Sequence, residues 1–439
     1  MSSQHTLFGE ELRRLRMASG LSLAELARRA HYSKGYLSKI ESGTRPVSPQ
    51  VARRCDAALG ADGALARLVP PAQTARRPEP NEQEDDDRDV WIMSLGPGGG
   101  GWFTPVGRRD LLAVGGSALV GLGASPSALR VASTEEAGVD AYTEVFGQLR
   151  ALGQVTAPAL VLPVVIAQAN ALRSVAAAGG GPLHARWSLL AARHAEYAGW
   201  LAQESGDPRG ARWWTDTAVR LTASGAPGIP DVPAMTDMAA HALVRRALIA
   251  LYAEDGAATV ELARRARRDP SAGARVRGLA ALREAQGHAL AGDPSACERA
   301  LESGDLLLRD APPADGSLAL GSTNVDTVAV TRGWCLHDLG RPESAVDVLE
   351  PQFSRIRSDA HRSRARYGTR LALAHATAGE LERACEITES VLGAVVGVDS
   401  ATIRADLAKL ARALTRWRTE PRVRTLQPRL TGALRTPTT

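Results

Sequence analysis

The chain has 439 residues, enough for two to four domains, and is 44% apolar but only 4% aromatic. That balance points to helical packing of small side chains and away from a β-sandwich. The formal charge is +5 and all of it falls in residues 1–69, where eleven basic residues face six acidic ones; the near-neutral remainder argues against a second nucleic-acid surface.

Over residues 7–17, Leu7, Phe8, Glu11, Leu12 and Leu15 recur at helical spacing, with Gly20 as a stop. A second helix starts at the N-cap Ser22, which has Glu25 three residues on, and runs to Ala30. The third starts at the N-cap Ser33 and ends at Gly43. A fourth, Pro49 to Leu59, and a fifth, Asp62 to Val69, complete a five-helix domain over residues 1–69.

Residues 21–46 thus read as two short helices joined by a tight turn, the second presenting small, polar and basic residues. A helix laid in the major groove of double-stranded DNA needs that surface. The segment resembles the helix-turn-helix of the lambda-repressor/Cro-like (XRE) family, with the hydrophobic frame Leu26, Ala27, Tyr32, Leu37 and Ile40 intact. The resemblance implies that Ser33, Lys34, Gly35, Ser38 and Lys39 face outward against base edges while Leu37 and Ile40 face the core. Lys34 and Lys39 can donate to guanine O6/N7 or to phosphate, and Ser38 can donate or accept. Tyr36 is placed to stack on a sugar or meet a thymine methyl, or else to pack. By the same resemblance Ser22 and Ser42 meet phosphate at helix ends, Arg45 clamps a phosphate, and Arg16 pairs with Glu41 to tie the first helix to the third. Leu23 departs from the family, which usually has Gln there, so one phosphate-anchoring contact is lost.

Residues 70–138 read as a linker. Pro70, Pro71, Pro78 and Pro80 exclude a helix interior, an acidic run follows from Glu82 to Asp89, and then a glycine run from Gly96 to Gly101. A solvated tether and an internal competitor for the basic face are both compatible with that composition. Arg108-Arg109-Asp110-Leu111-Leu112 resembles a twin-arginine export motif, and Leu111 to Leu129 carries no charge. Glycines, serines and Pro126 dilute the stretch, and its compact apolar part, Leu111 to Leu122, falls short of the roughly 20 residues a span needs. A buried or docked segment is therefore expected, with a membrane anchor as the alternative.

From residue 139 to 434 the chain alternates Ala/Leu-rich helices with turns at Ser205-Gly206-Asp207-Pro208, Asp255-Gly256-Ala257, Ala291-Gly292-Asp293-Pro294, Leu339-Gly340-Arg341-Pro342 and Ala378-Gly379-Glu380-Leu381. The glycines recur at intervals longer than the tetratricopeptide period of about 34 residues, as degenerate repeats with long loops would. The pattern resembles a tetratricopeptide-like α-solenoid of about six hairpins; a non-repeating helical bundle is the alternative. Joined to a helix-turn-helix, such an array is similar in architecture to peptide-controlled regulators of the Rap/Npr/Plc/Prg (RRNPP) type. In these arrays the first helix of each hairpin lines a concave face. That makes His194, Tyr197, His241, Arg245, Asn324, Asp326, Arg332, Tyr367 and Arg370 the candidate effector contacts, although each alone also suits a solvated helix face.

No HExxH, P-loop, GxSxG or dinucleotide fingerprint is present. Cys55, Cys297, Cys335 and Cys385 are scattered without CxxC spacing, which fits a reducing compartment and neither a disulfide framework nor a zinc site. The expectation is an all-α protein, a five-helix lambda-repressor-like DNA-binding domain followed by a tetratricopeptide-like solenoid. It is expected to be a cytoplasmic, homodimeric transcription regulator, not an enzyme, with no metal or cofactor. It would bind a double-stranded DNA operator and take a peptide, small-molecule or protein effector on its repeats. A protein-interaction scaffold with secondary DNA contact, and a membrane-anchored regulator using residues 111–129, are the alternatives.

Overall fold

Serine caps define the N-terminal helices of the computed structural model, which describes residues 2–69, 89–95, 101–107, 136–178, 182–225, 233–311 and 325–435. Helix α1 (Ser2–Ala18) is followed by α2 (Leu23–Arg29), α3 (Lys34–Glu41) and α4 (Pro49–Leu59). Ser22 and Glu25 form a reciprocal capping box at α2, Ser33 caps α3, and Ser48 caps α4 with Pro49 in its first turn. The expected fifth helix is only a 3-10 turn, Ala66–Leu68. The Asp56 carboxylate accepts from the backbone N–H groups of Leu65 and Ala66, at 2.9 and 2.6 Å, and so holds that segment as a turn against the core. Phe8, Leu12, Leu26, Leu37, Ile40 and Leu65 bury completely between these elements. Gly9 permits the approach of α1 to α3: a Cβ there would lie 2.6 Å from the carbonyl oxygens of Ile40 and Glu41.

Within the expected linker, β1 (Asp89–Leu95) and β2 (Gly101–Gly107) pair antiparallel, Asp89 opposite Gly107 and Leu95 opposite Gly101. Among the described residues this hairpin is the one departure from an all-helical architecture. Val90, Trp91 and Ile92, then Trp102, Phe103 and Val106, are strand formers that flank the glycine run. Residues 111–129 lie outside the described residues. One described helix, over Pro158–Ala177, is long and apolar enough to cross a membrane. Its Val161, Val165, Ile166 and Leu172 are buried in the protein core.

The rest is seven helical hairpins: α5 (Glu136–Leu152) with α6 (Pro158–Ala178), α7 (Pro182–Ser205) with α8 (Pro208–Gly225), α9 (Pro233–Tyr252) with α10 (Gly256–Arg268), α11 (Ala274–Ala291) with α12 (Pro294–Arg309), α13 (Thr327–Asp338) with α14 (Pro342–Ser354), α15 (His361–Ala378) with α16 (Leu381–Val398), and α17 (Ala401–Leu414) with α18 (Pro421–Leu434). Neighbouring helices pack along the array, as a helical repeat requires. Gly206, Gly292, Gly340 and Gly379 take the left-handed conformation that ends the first helix of their hairpins. Gly256 does not: Glu254 adopts the positive φ of 59°, and Gly256 opens α10, where a Cβ would meet the Gly287 carbonyl at 2.9 Å.

The array curves until its second and seventh hairpins touch, α7 against α17. Glu204 of α7 is the closing group. Arg362 and Arg366 of α15 reach its two oxygens at 2.7 and 2.9 Å, and Ser400 and Thr402 donate to it at 2.6 and 2.7 Å. Arg362 also donates to the carbonyls of Gly153 and Thr156 in the first hairpin. Against the desolvation of complete burial, these partners hold the Glu204 carboxyl down to about 2.

Candidate nucleic-acid interface

The second and third helices present one polar face, and local chemistry sets each side chain on it. Lys34, Gly35, Ser38 and Lys39 are exposed on α3, while Leu37 and Ile40 are fully buried behind them. Ser22 Oγ accepts from the Glu25 N–H and Ser33 Oγ from the Tyr36 N–H, both at 3.2 Å. Both are exposed at helix starts, where a phosphate oxygen is favoured by the dipole. Ser42 is differently occupied. Its hydroxyl donates to the Lys39 carbonyl at 3.1 Å and lies 3.0 Å from Thr44 Oγ1, so it closes the helix end. Tyr36 is half-buried, stacked on Tyr32 with centroids 5.2 Å apart, and the Arg45 guanidinium sits 4.7 Å over its ring. The tyrosine therefore positions Arg45 at the edge of the face. Leu23 is half-buried and packs toward the domain core.

Arg16 and Glu41 make the expected pair. Nε and Nη2 reach the two carboxylate oxygens at 2.7 and 3.1 Å, and Nη1 donates to the Leu21 carbonyl at 3.0 Å. One guanidinium thus joins α1, the entry to α2 and the last turn of α3.

Not all of the N-terminal positive charge is available to DNA. Arg53, on α4, donates through Nε to the Asp338 carbonyl and through Nη1 to the Leu290 carbonyl at 2.8 Å. These carbonyls belong to the last turns of α13 and α11, which lack intrahelical partners and carry the negative dipole ends. Arg54 is buried with its guanidinium 5.3 Å over the Tyr32 ring. Desolvation lowers the pKa of both arginines. The turn between α2 and α3 is held too. His31, in the left-handed region at φ 57°, places Nε2 2.7 Å from Glu343 Oε1 and accepts at its carbonyl from Arg416 Nη1 at 2.5 Å. The helix-turn-helix is thus docked by α4 and its turn on the repeat turns, with the face of α3 left open. Beside Arg53 the junction encloses a crevice of about 680 Å³ whose walls include Arg67, Val260, Arg265 and His288. Composition showed these arginines as charge but gave no signal of their destination.

The candidate effector contacts separate into two groups. His194 is fully buried, its Nδ1 2.9 Å from the Leu190 carbonyl and its Nε2 3.0 Å from Gln168, and burial pulls it down to about 4. Tyr197 is buried and donates to the Leu149 carbonyl at 3.3 Å. Asp326 is the N-cap of α13, and Arg332 pairs with Glu298 of α12. These four are accounted for by the fold itself. Asn324 lies outside the described residues. His241, Arg245, Tyr367 and Arg370 are brought together with Tyr252, Arg283, Gln286 and Trp334 on first helices of the hairpins. Arg366 and Arg370 both donate to Tyr252 Oη, at 2.9 and 2.8 Å, across the array from α15 to α9. The Arg370 guanidinium also lies 3.4 Å over the Trp334 ring.

Residues 7–69 match a family described as a helix-turn-helix domain. No curated protein matches the chain. The match and the geometry together suggest a DNA-binding regulator.

Proposed function

We propose that the chain is a cytoplasmic transcription regulator that binds a double-stranded DNA operator as a homodimer, under the control of an effector held by a tetratricopeptide-like repeat array. The observation that carries this reading is the division of the helix-turn-helix into two faces. Lys34, Ser38 and Lys39 stand exposed on one, while Arg53 anchors the other to the repeats. Two heads in a dimer would meet half-sites about one DNA turn apart, roughly 10 bp or a multiple. An effector that favours one curvature of the array would move helix ends that Arg53 holds, and so shift the population of head spacings.

The test is retention of genomic fragments by purified full-length protein, with sequencing of the bound DNA. A defined inverted-repeat motif, lost in the Lys34→Ala/Lys39→Ala protein, is the expected result. Enrichment without a motif, unchanged in the double variant, would remove DNA recognition by α3 and leave the repeats as the principal binding surface.

A further inference from the structure

We propose that the inner face of the repeat array binds a small organic anion, with Arg245, Arg283 and Gln286 as donors to its carboxylate or phosphate group. The proposal rests on the effector-controlled reading above and gives the effector a chemical class.

Charge on the inner face is unbalanced. Glu196 lies 3.2 Å from Arg193 and 3.9 Å from Arg245, Glu204 serves Arg362 and Arg366, and Asp406 pairs with Arg370 at 2.9 Å. Arg283 has no carboxylate at ion-pair distance among the described residues. Its one hydrogen bond goes to the Gln286 side-chain oxygen. Desolvation, helped by the neighbouring Arg370 and Arg245 and opposed by Tyr252 and Tyr367, brings it down to about 10. Guanidinium groups therefore outnumber carboxylates two to one in a region largely withdrawn from water, an arrangement that calls for an anionic partner.

Donors stand ready for one. Gln286 is 1% exposed and its amide nitrogen makes no hydrogen bond; Arg245 is 6% exposed, donates through Nη2 to Gln203 at 3.1 Å, and its Nε makes no hydrogen bond, with Glu196 no nearer than 3.9 Å. The Arg283–Gln286 hydrogen bond places the free amide beside the unpaired guanidinium. Buried polar atoms left unsatisfied in this way call for a partner, whether ordered water or an anion, and beside the unpaired charge of Arg283 an anion supplies what water does not. His241, pulled down to about 4 by burial, is neutral at pH 7 and adds no charge of its own. A planar guanidinium takes a carboxylate or phosphate through two parallel hydrogen bonds.

The experiment measures thermal stability and calorimetric binding of the full-length protein with citrate, inorganic phosphate and pyrophosphate, against chloride at equal ionic strength. Saturable binding with a raised Tm is expected, and the preferred probe separates a carboxylate from a phosphate ligand. Arg283→Gln should weaken the binding by about ten-fold or more, as loss of a charge-assisted pair implies, and Arg283→Lys should restore part of it. Gln286→Glu supplies an internal carboxylate, so it should raise the Tm without added anion and abolish the response. Absence of saturable binding by all three anions overturns the proposal. So does a response that Arg283→Gln and Gln286→Glu leave unchanged. Operator retention measured with and without the preferred anion separates the two levels: saturable, Arg283-dependent binding that leaves DNA affinity constant keeps the site and removes effector control.

Discussion

Arg16 and Glu41 face each other across 25 residues of sequence with both carboxylate oxygens engaged, at 2.7 and 3.1 Å, and they are largely withdrawn from solvent. The pair fixes the last turn of α3 to α1 and lies apart from the exposed face of Lys34, Ser38 and Lys39. Arg16→Ala should therefore destabilise the N-terminal domain by about 2–4 kcal/mol, because it strands a part-buried carboxylate. The Arg16→Ala/Glu41→Ala double variant should cost less than the sum of the single changes, and a chemical-denaturation cycle measures that coupling.

Lysines on α3 and arginines on α4 should separate in salt titrations of DNA binding. Each of Lys34→Ala and Lys39→Ala should reduce the slope of log affinity against log salt by about one if it meets phosphate. Arg53→Ala should leave that slope unchanged, since its guanidinium is committed to the carbonyls of Leu290 and Asp338. Equal slopes for all three variants would contradict the division of the two faces.

The repeat turns give a matched comparison. Gly340 and Gly379 both have left-handed backbone, with φ of 81° and 93°, so alanine at either should cost about 1–2 kcal/mol of local strain. A Cβ on Gly340 would additionally lie 2.8 Å from the Arg54 Cα, whereas at Gly379 the nearest group is the flexible end of Arg416 at 4.0 Å. Hydrogen exchange in α4 should therefore accelerate in Gly340→Ala and stay constant in Gly379→Ala.

Acid should unfold the array in two windows. His194 and His241 are pulled down to about 4 in the folded protein from an ordinary 6.5, so the unfolded chain binds more protons between these values and stability falls as pH drops through them. Glu204 is held at about 2 from an ordinary 4.5, so its contribution is present above the upper value and is lost as pH falls toward the lower. Glu204→Gln should cost about 3–5 kcal/mol at neutral pH, as removal of one partner from a buried ion network does. It should also flatten the lower window in urea titrations.

Features written in short stretches of sequence were legible. The caps Ser22 and Ser33 and the turn glycines Gly292 and Gly340 act through local backbone geometry, and they sit where their spacing places them. The Arg16–Glu41 pair was legible through resemblance. Arg53 was not: a guanidinium suits phosphate and helix-end carbonyls equally, and only the placement of α4 against α11 and α13 decides between them. His194 looked like a polar group on a binding face, yet its partners are Leu190 four residues back and Gln168 on α6. The strands around Gly96–Gly101 were obscured because glycine and acidic residues dominate the local composition, while pairing depends on both flanks together. Glu204 was hidden by distance, since Arg362 and Thr402 lie 158 and 198 residues further along.

That distance bears on how the chain is made. An open row of hairpins can fold piece by piece during synthesis, each unit resting on its predecessor. Here Glu204 is translated long before Arg362, Ser400 and Thr402, and until they emerge a carboxylate meant for a dry site stays hydrated at an unfinished edge. The seventh hairpin therefore works as a keystone, and the early hairpins reach their final stability only after its Ser400 and Thr402 have emerged from the ribosome.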